Sequence, residues 1–539
     1  MPENNCNCIV LLAEYFTQQR NYLEEEEKLH IIQTLSASCY GEPKYIHDGN
    51  RYCVIHSPGN TKNNEFTEAV KSKLLAGDYN FCAAYFPDDY SFQDYKFNGE
   101  LNFDHAIFNG EIDFSLVSLA KEATFKNTTF CKVSYFSGAT VSEKIHFPMA
   151  KFKERALFTA VKFHNDAGFC ETNFTKEVNF SDSTFHKNAD FRSTSFCQSA
   201  SFSATTFNGK ADFSSATFDG AADLRFPTFN DETYFSSVAF NDEVVFLEAT
   251  FKSDVDFIDT TFSGLTIFDA CSFSKSVKFT QAYVKDYLKF KCGTEDFFLN
   301  DASLDLDSVR IEKPERLLFH SIKLRPHWFI NTDPRKFEFI DVQWDDRLAR
   351  EREVSQSDRL LSIAYRQLAV NAEENNRYDE AMKFRYASME TSLFNLQKKW
   401  REDWLRKRLG NCSVETFSWW WEYAAIRKLF SMNWWYRTLS SYGESPTRAV
   451  IVLLLILFLS AVPYQFVGFA PSKYPEDKIG TPFSSVAKSL VYSLETASLQ
   501  KPEPRPVTTM ARVFVGLETI LAPLQAALLA LAIRRKYMR

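Results

Sequence analysis

Phenylalanine returns at every eleventh position from Phe103 to Phe290. The series includes Phe180, Phe191, Phe202, Phe213, Phe235, Phe246 and Phe257, with Leu224 as its one substitute. A second series, offset by five, runs from Phe97 through Phe108, Phe130, Phe152 and onward to Val284, and its few misses (Leu119, Val141) stay apolar. Large apolar residues therefore alternate at intervals of six and five. A fixed period of this kind decides the fold before any local propensity does.

The period excludes the ordinary elements. It fits neither a helix at 3.6 residues nor a flat strand at two. It fits a chain that turns a corner every five or six residues. A small or short residue sits two before each large one, as in Ala211, Ala216, Thr205, Val244 and Thr260. Both then point inward and the polar residues between them point out. A four-sided coil uses 22 residues, so the regular stretch holds roughly nine coils stacked ~4.8 Å apart. No coil is stable alone, because each buries its large residues against its neighbours. The repeat also accounts for most of the 53 Phe in the chain.

This pattern resembles the pentapeptide-repeat proteins, in the variant whose units alternate five and six residues. The resemblance implies a right-handed quadrilateral β-helix. Further strands are expected at Leu317-Leu318-Phe319, His327-Trp328-Phe329-Ile330 and Phe337-Glu338-Phe339-Ile340, as degenerate terminal coils. The solenoid is placed at 79–345, after a small N-terminal domain at 1–78.

Beyond the solenoid the pattern changes. Leu361, Tyr365, Leu368 and Ala372 recur at helical spacing, as do Ala381, Phe384 and Leu393 after a break at Asn375-Asn376-Arg377. A helical hairpin linker over 346–411 follows. One piece of it, Asn376 to Ala381, resembles a single tetratricopeptide-type unit. The segment 412–448 is aromatic and basic. Trp419, Trp420, Trp421, Trp434 and Trp435 stand beside Arg427, Lys428 and Arg437, the composition of a helix lying at a membrane interface. An ordinary packed helix is the alternative.

Two apolar stretches, Ala449 to Ala470 and Val513 to Ile533, are each long enough to cross a bilayer. Together with an amphipathic segment at Phe483 to Leu499 they form a two-span module over 449–539. Arg437 and Arg448 precede the first span, and Arg534, Arg535 and Lys536 follow the second. Basic flanks of this kind place both termini in the cytoplasm. The order of span, short helix, loop and span resembles the pore module of two-helix potassium-type channels. It lacks their selectivity filter, because Gln500-Lys501-Pro502-Glu503-Pro504-Arg505-Pro506 stands where a Gly-rich loop is required. Tyr442 to Arg448 and Leu517 to Arg535 are similar to membrane-anchored bacterial pentapeptide-repeat proteins, which implies the bacterial inner membrane.

Glu518 and Gln525 lie seven apart in the second span, hence on one helix face. Polar residues inside a bilayer face protein or water. They either line an oligomeric pore or make a packing contact, for instance with the 483–499 segment.

In the N-terminal segment, Cys39, Cys53 and His56, with Cys8 upstream, offer sulfur and imidazole ligands for one structural zinc. A Cys-x2-His just ahead of the repeats is also a feature of similar pentapeptide-repeat proteins. Buried thiols without metal are the alternative. No other cofactor is expected. The scattered, odd number of Cys argues for reduced thiols, and the start carries no secretory signal pattern.

The net charge of −7 argues against nucleic acid as a partner. No nucleophile elbow, phosphate-binding Gly loop or HExxH occurs, so no enzyme is expected. The leading reading is a membrane-tethered scaffold, a homo-oligomer whose cytoplasmic solenoid binds a protein partner. The alternative is an oligomeric pore or channel-like effector gated by the solenoid, in bacterial defence or stress. A DNA-mimicking solenoid, as in some pentapeptide-repeat proteins, ranks third.

Overall fold

The computed structural model describes residues 38–40, 44–47, 50–59, 62–292, 297–299, 302–345, 357–408, 432–443, 445–466, 469–470 and 486–537. The chain divides into two units, Met1–Asp346 and Arg347–Arg539.

The first unit is a β-solenoid of about twelve turns. Four parallel sheets of ten, eleven, twelve and nine strands form its sides. Most strands are two residues long, and each pairs with the strands 22 residues before and after it. Thr217–Phe218 lies between Ser195–Phe196 and Ala239–Phe240, for example. The twelve-strand sheet runs from Tyr90–Ser91 to Glu338–Ile340. Its eleven steps of ~4.8 Å give about 53 Å.

The spacing of Phe explains the interior. Phe180, Phe191, Phe202, Phe213, Phe235, Phe246 and Phe257 are fully buried. Rings 22 apart stack face to face, as do Phe191 and Phe213 with centroids 4.8 Å apart and planes 3° from parallel. Rings eleven apart meet edge to face, as Phe191 and Phe202 do at 5.4 Å and 87°. Both geometries suit the aromatic quadrupole and add about 0.5–1.5 kcal/mol per pair to the burial itself.

The corners follow the same clock. Every eleventh residue from Ala83 to Gln281 has a positive φ, and Gly138 is the only glycine among them. At one such corner the amide of Ala106 donates to the carbonyl of Phe103 at 3.0 Å, with His105 at φ +61° between them. A positive φ at the third turn residue is type II geometry. The strain of a left-handed non-glycine residue, about 1–2 kcal/mol, is offset by the ladder on both sides. Inward hydroxyls satisfy corner carbonyls: Thr172 donates to Phe147 and Thr194 to Phe169, each at 2.7 Å.

At the first end, stacking already runs ahead of the regular count from Phe97, within the solenoid placed at 79–345. Phe81 and Phe92 are buried members of the eleven-step series, and Phe86 continues the offset series. At the other end the period slips, yet Phe290, Phe319 and Phe339 remain in one stack at 5.2 and 5.5 Å. The strand expected at His327 to Ile330 is instead a 3-10 turn, Pro326–Phe329. Pro326 at its first position lacks an amide hydrogen and cannot join a ladder.

The second unit is helical. Helix α1 (Asn63–Leu75) belongs to the first unit. Helices α2 (Asp358–Glu374) and α3 (Tyr378–Arg408) form an antiparallel hairpin. Leu361, Tyr365, Leu368 and Ala372 are buried in it. Then come α4 (Met432–Ser440), α5 (Pro446–Ala461), α6 (Val486–Ala497) and α7 (Thr509–Tyr537).

Truncating one ring should be felt locally, because each coil touches only its neighbours. Phe213→Ala should cost about 3–5 kcal/mol. It should raise amide exchange in the coils between Phe191 and Phe235 while leaving Phe103 to Phe125 protected, as hydrogen-exchange mass spectrometry would read.

Candidate functional site

Two helical stretches, Pro446–Gln465 and Thr509–Arg534, are long and apolar enough to cross a membrane. Pro446 sits in the first turn of α5, and the Ser445 hydroxyl caps it by accepting from the Arg448 amide at 3.3 Å. The outward faces are greasy: Leu454, Phe458 and Leu459 on α5, and Leu517, Ile520 and Leu524 on α7, are at least half exposed.

Glu518 and Gln525 of α7 turn the other way. Glu518 is 1% exposed. Its carboxylate accepts hydrogen bonds from the Tyr464 hydroxyl, just past α5, and from the Ser493 hydroxyl of α6. Ser493 also lies 2.9 Å from the Leu457 carbonyl. One glutamate thus joins three segments. An aromatic cluster of Tyr464, Phe469 and Tyr492 covers this region. Two turns further along α7, Gln525 is equally buried. Its amide donates to the carbonyls of Leu439 at 3.0 Å and Ala449 at 2.9 Å. Those carbonyls belong to the end of α4 and the first turn of α5.

A second buried charge joins the hairpin to the same region. Glu390 of α3 is 2% exposed and meets Arg437 of α4 at 2.7 Å and the Tyr442 hydroxyl at 3.2 Å. Burial, and then the Glu390 carboxylate, push the Tyr442 phenol well above its ordinary range. The hairpin is therefore fixed to the helices that lead into α5.

In the N-terminal segment, Cys39, Cys53 and His56 converge, with all three ligand atoms within 4.8 Å of one another. His56 Nδ1 is 3.1 Å from Cys53 Sγ and 3.6 Å from Cys39 Sγ. Its Nε2 is 3.0 Å from the Cys82 carbonyl and 3.0 Å from Ser38 Oγ. A hydrogen bond from Cys39, and then one shared with His56, hold Cys53 far below the usual thiol range, while that same bond and burial raise Cys39. Beside them the buried Lys62 ammonium donates to the carbonyls of Val54, Ile55 and Tyr85 at 2.8, 3.2 and 3.0 Å. Burial pulls its pKa down to about 7.

Of the residues singled out in the sequence, the structure brings Cys39, Cys53 and His56 together and buries Glu518 and Gln525. Cys8, Trp419, Trp420 and Trp421 lie outside the described residues. Trp434 and Trp435 fall in α4, where Trp435 is exposed. Sequence reasoning missed Glu390, Tyr464, Ser493 and Lys62. Glu390 had one signal, a carboxylate on the apolar stripe of α3. The others have none, because their partners lie far along the chain.

The family comparison agrees with the geometry of the solenoid. The family model "Pentapeptide repeats (9 copies)" matches residues 169–217 and 213–261. The chain carries pentapeptide repeats wound into a β-solenoid. Among solved structures, it is similar to a trypsin-treated variant of QnrB1, a plasmid-mediated fluoroquinolone resistance protein. That match has 12% identity, covers 50% of this chain and 94% of the other, and has a TM-score of 0.14. At that score the likeness bears no weight. No curated protein sequence matches the chain.

Removing the shared acceptor should loosen the helical unit. Glu518→Ala leaves two buried hydroxyls without it, at about 1–3 kcal/mol each. The unfolding midpoint in detergent should fall clearly for this variant, and little for Leu517→Ala on the exposed side of the same helix.

Proposed function

We propose that this protein is a non-enzymatic recognition scaffold tethered to a bacterial inner membrane, with its solenoid on the cytoplasmic side holding a protein partner. The observation that carries this reading is the inward turn of Glu518 and Gln525. The Glu518 carboxylate and the Gln525 amide nitrogen are engaged within the one chain. What α5 and α7 present outward is apolar, as an anchor in hydrocarbon requires. A pore assembled from several copies needs polar groups that point away from each chain's own core, and these two do not.

The solenoid suits a macromolecular partner. Its outward rows repeat every 22 residues at a fixed spacing, giving flat, regular sides. On the twelve-strand sheet one row reads Asn179, Ser201, Asp223, Val245, Ile267 and Lys289. Its apolar members fall where the strands lengthen to four residues. Arg437 before α5, Arg448 in its first turn, and Arg534 at the end of the second apolar stretch support a cytoplasmic location for both flanks. The solenoid would then share that side, and homo-oligomer formation would raise its avidity.

Full-length protein should sediment with membranes and resist alkaline carbonate extraction. In liposomes it should give no ion flux above the lipid background. A protein that stays soluble would overturn the tether, and flux abolished by Glu518→Ala would replace the scaffold with the pore.

A further inference from the structure

We infer that Cys39, Cys53 and His56 hold a structural zinc ion that pins a cap onto the first open edge of the solenoid. This goes beyond the membrane reading and is independent of it.

The donor geometry comes first. In a tetrahedral site with Zn–S near 2.3 Å and Zn–N near 2.0–2.1 Å, neighbouring sulfur and nitrogen donors stand about 3.5 Å apart. Here the two sulfur-to-nitrogen separations are 3.1 and 3.6 Å. Both lie within a few tenths of an ångström of the tetrahedral separation, and all three donor atoms fall within 4.8 Å of one another. Two of the three ligands are shielded from water: Cys53 is fully buried and His56 is 5% exposed, while Cys39 is partly exposed.

The imidazole is oriented for the task. The Cys82 carbonyl beside Nε2 can only accept a hydrogen bond. It assigns the ring proton to Nε2 and leaves the lone pair of Nδ1 facing both sulfurs. A ligating histidine is ordinarily fixed this way, by a carbonyl or carboxylate on its other nitrogen. Four-coordinate zinc takes one further donor beyond these three residues.

The location supplies the purpose. A stack of parallel coils ends in sheet edges, and an uncovered edge invites pairing with other chains. Tyr85–Phe86 is the terminal strand of the eleven-strand sheet. The Tyr85 amide donates to the carbonyl of Ile55 at 2.9 Å, inside the Cys53–His56 loop. Lys62 binds carbonyls on both sides of that junction. The His56 ring reaches Cys82, within the first coil. The loop thus lies on the edge strand, and zinc would lock it there by tying it to Cys39.

The test is metal analysis of the full-length protein, purified without chelator. We expect about one zinc per chain, lowered at least tenfold in Cys53→Ser and in Cys39→Ser, and unchanged in Cys197→Ser, a thiol elsewhere on the solenoid. Cobalt exchanged into the wild-type protein should show a sulfur-to-cobalt charge-transfer band, which does not depend on any variant folding. Stripping the metal should speed amide exchange around Ile55 and Tyr85, not around Phe213. Three results overturn the proposal: wild-type protein that takes up neither zinc nor cobalt, a Cys39–Cys53 disulfide in place of metal, or zinc that survives both substitutions.

Discussion

The register between successive coils carries everything else in the first unit. Most strands are only two residues long and would hold nothing in isolation. Pairing at an offset of 22 multiplies that small contact along four sides. The same offset places ring over ring, so backbone ladder and aromatic column enforce one another. Neither works without the other. A slip of one residue would turn every inward side chain out, and a column of rings without the ladder would have no fixed spacing. Corner residues of many types accept a positive φ because both supports act at once.

The second unit is organised by buried polar residues instead. Glu390, Glu518 and Gln525 each join segments far apart in sequence. In helices this apolar, the buried polar groups supply the directional contacts that fix how the segments meet. The three contacts form a path from the hairpin through α4 to α5, α6 and α7. A displacement of the hairpin would reach α7 through hydrogen bonds rather than through loosely packed side chains.

The solenoid was legible because its code is repetition of a single residue type, and repetition survives local noise. Phe81, Phe86 and Phe92 carry the same code in front of Phe97. They fall inside the solenoid as placed from the sequence at 79–345, although the regular series is counted only from Phe97. Pro326 marked a turn, but the apolar run after it read as a strand. Glu518 and Gln525 stood out as polar residues in an apolar helix, whereas their partners could not be read. Ser493 is 25 residues from Glu518 and Tyr464 is 54 away, and only tertiary structure brings them together. The Cys53–His56 pair was visible as spacing, but nothing in the sequence linked it to Cys82 or to the sheet edge.

The positive-φ corner recurs every eleven residues, half a coil. An insertion of eleven residues would keep the pace of corners and rings, yet it would carry every later residue to the opposite side of the solenoid. Only whole coils can be added or lost without exchanging the sides. The reach of this arm is therefore quantised, in steps of ~4.8 Å, and copies of it that differ in length by complete coils would still present the same sides to a partner.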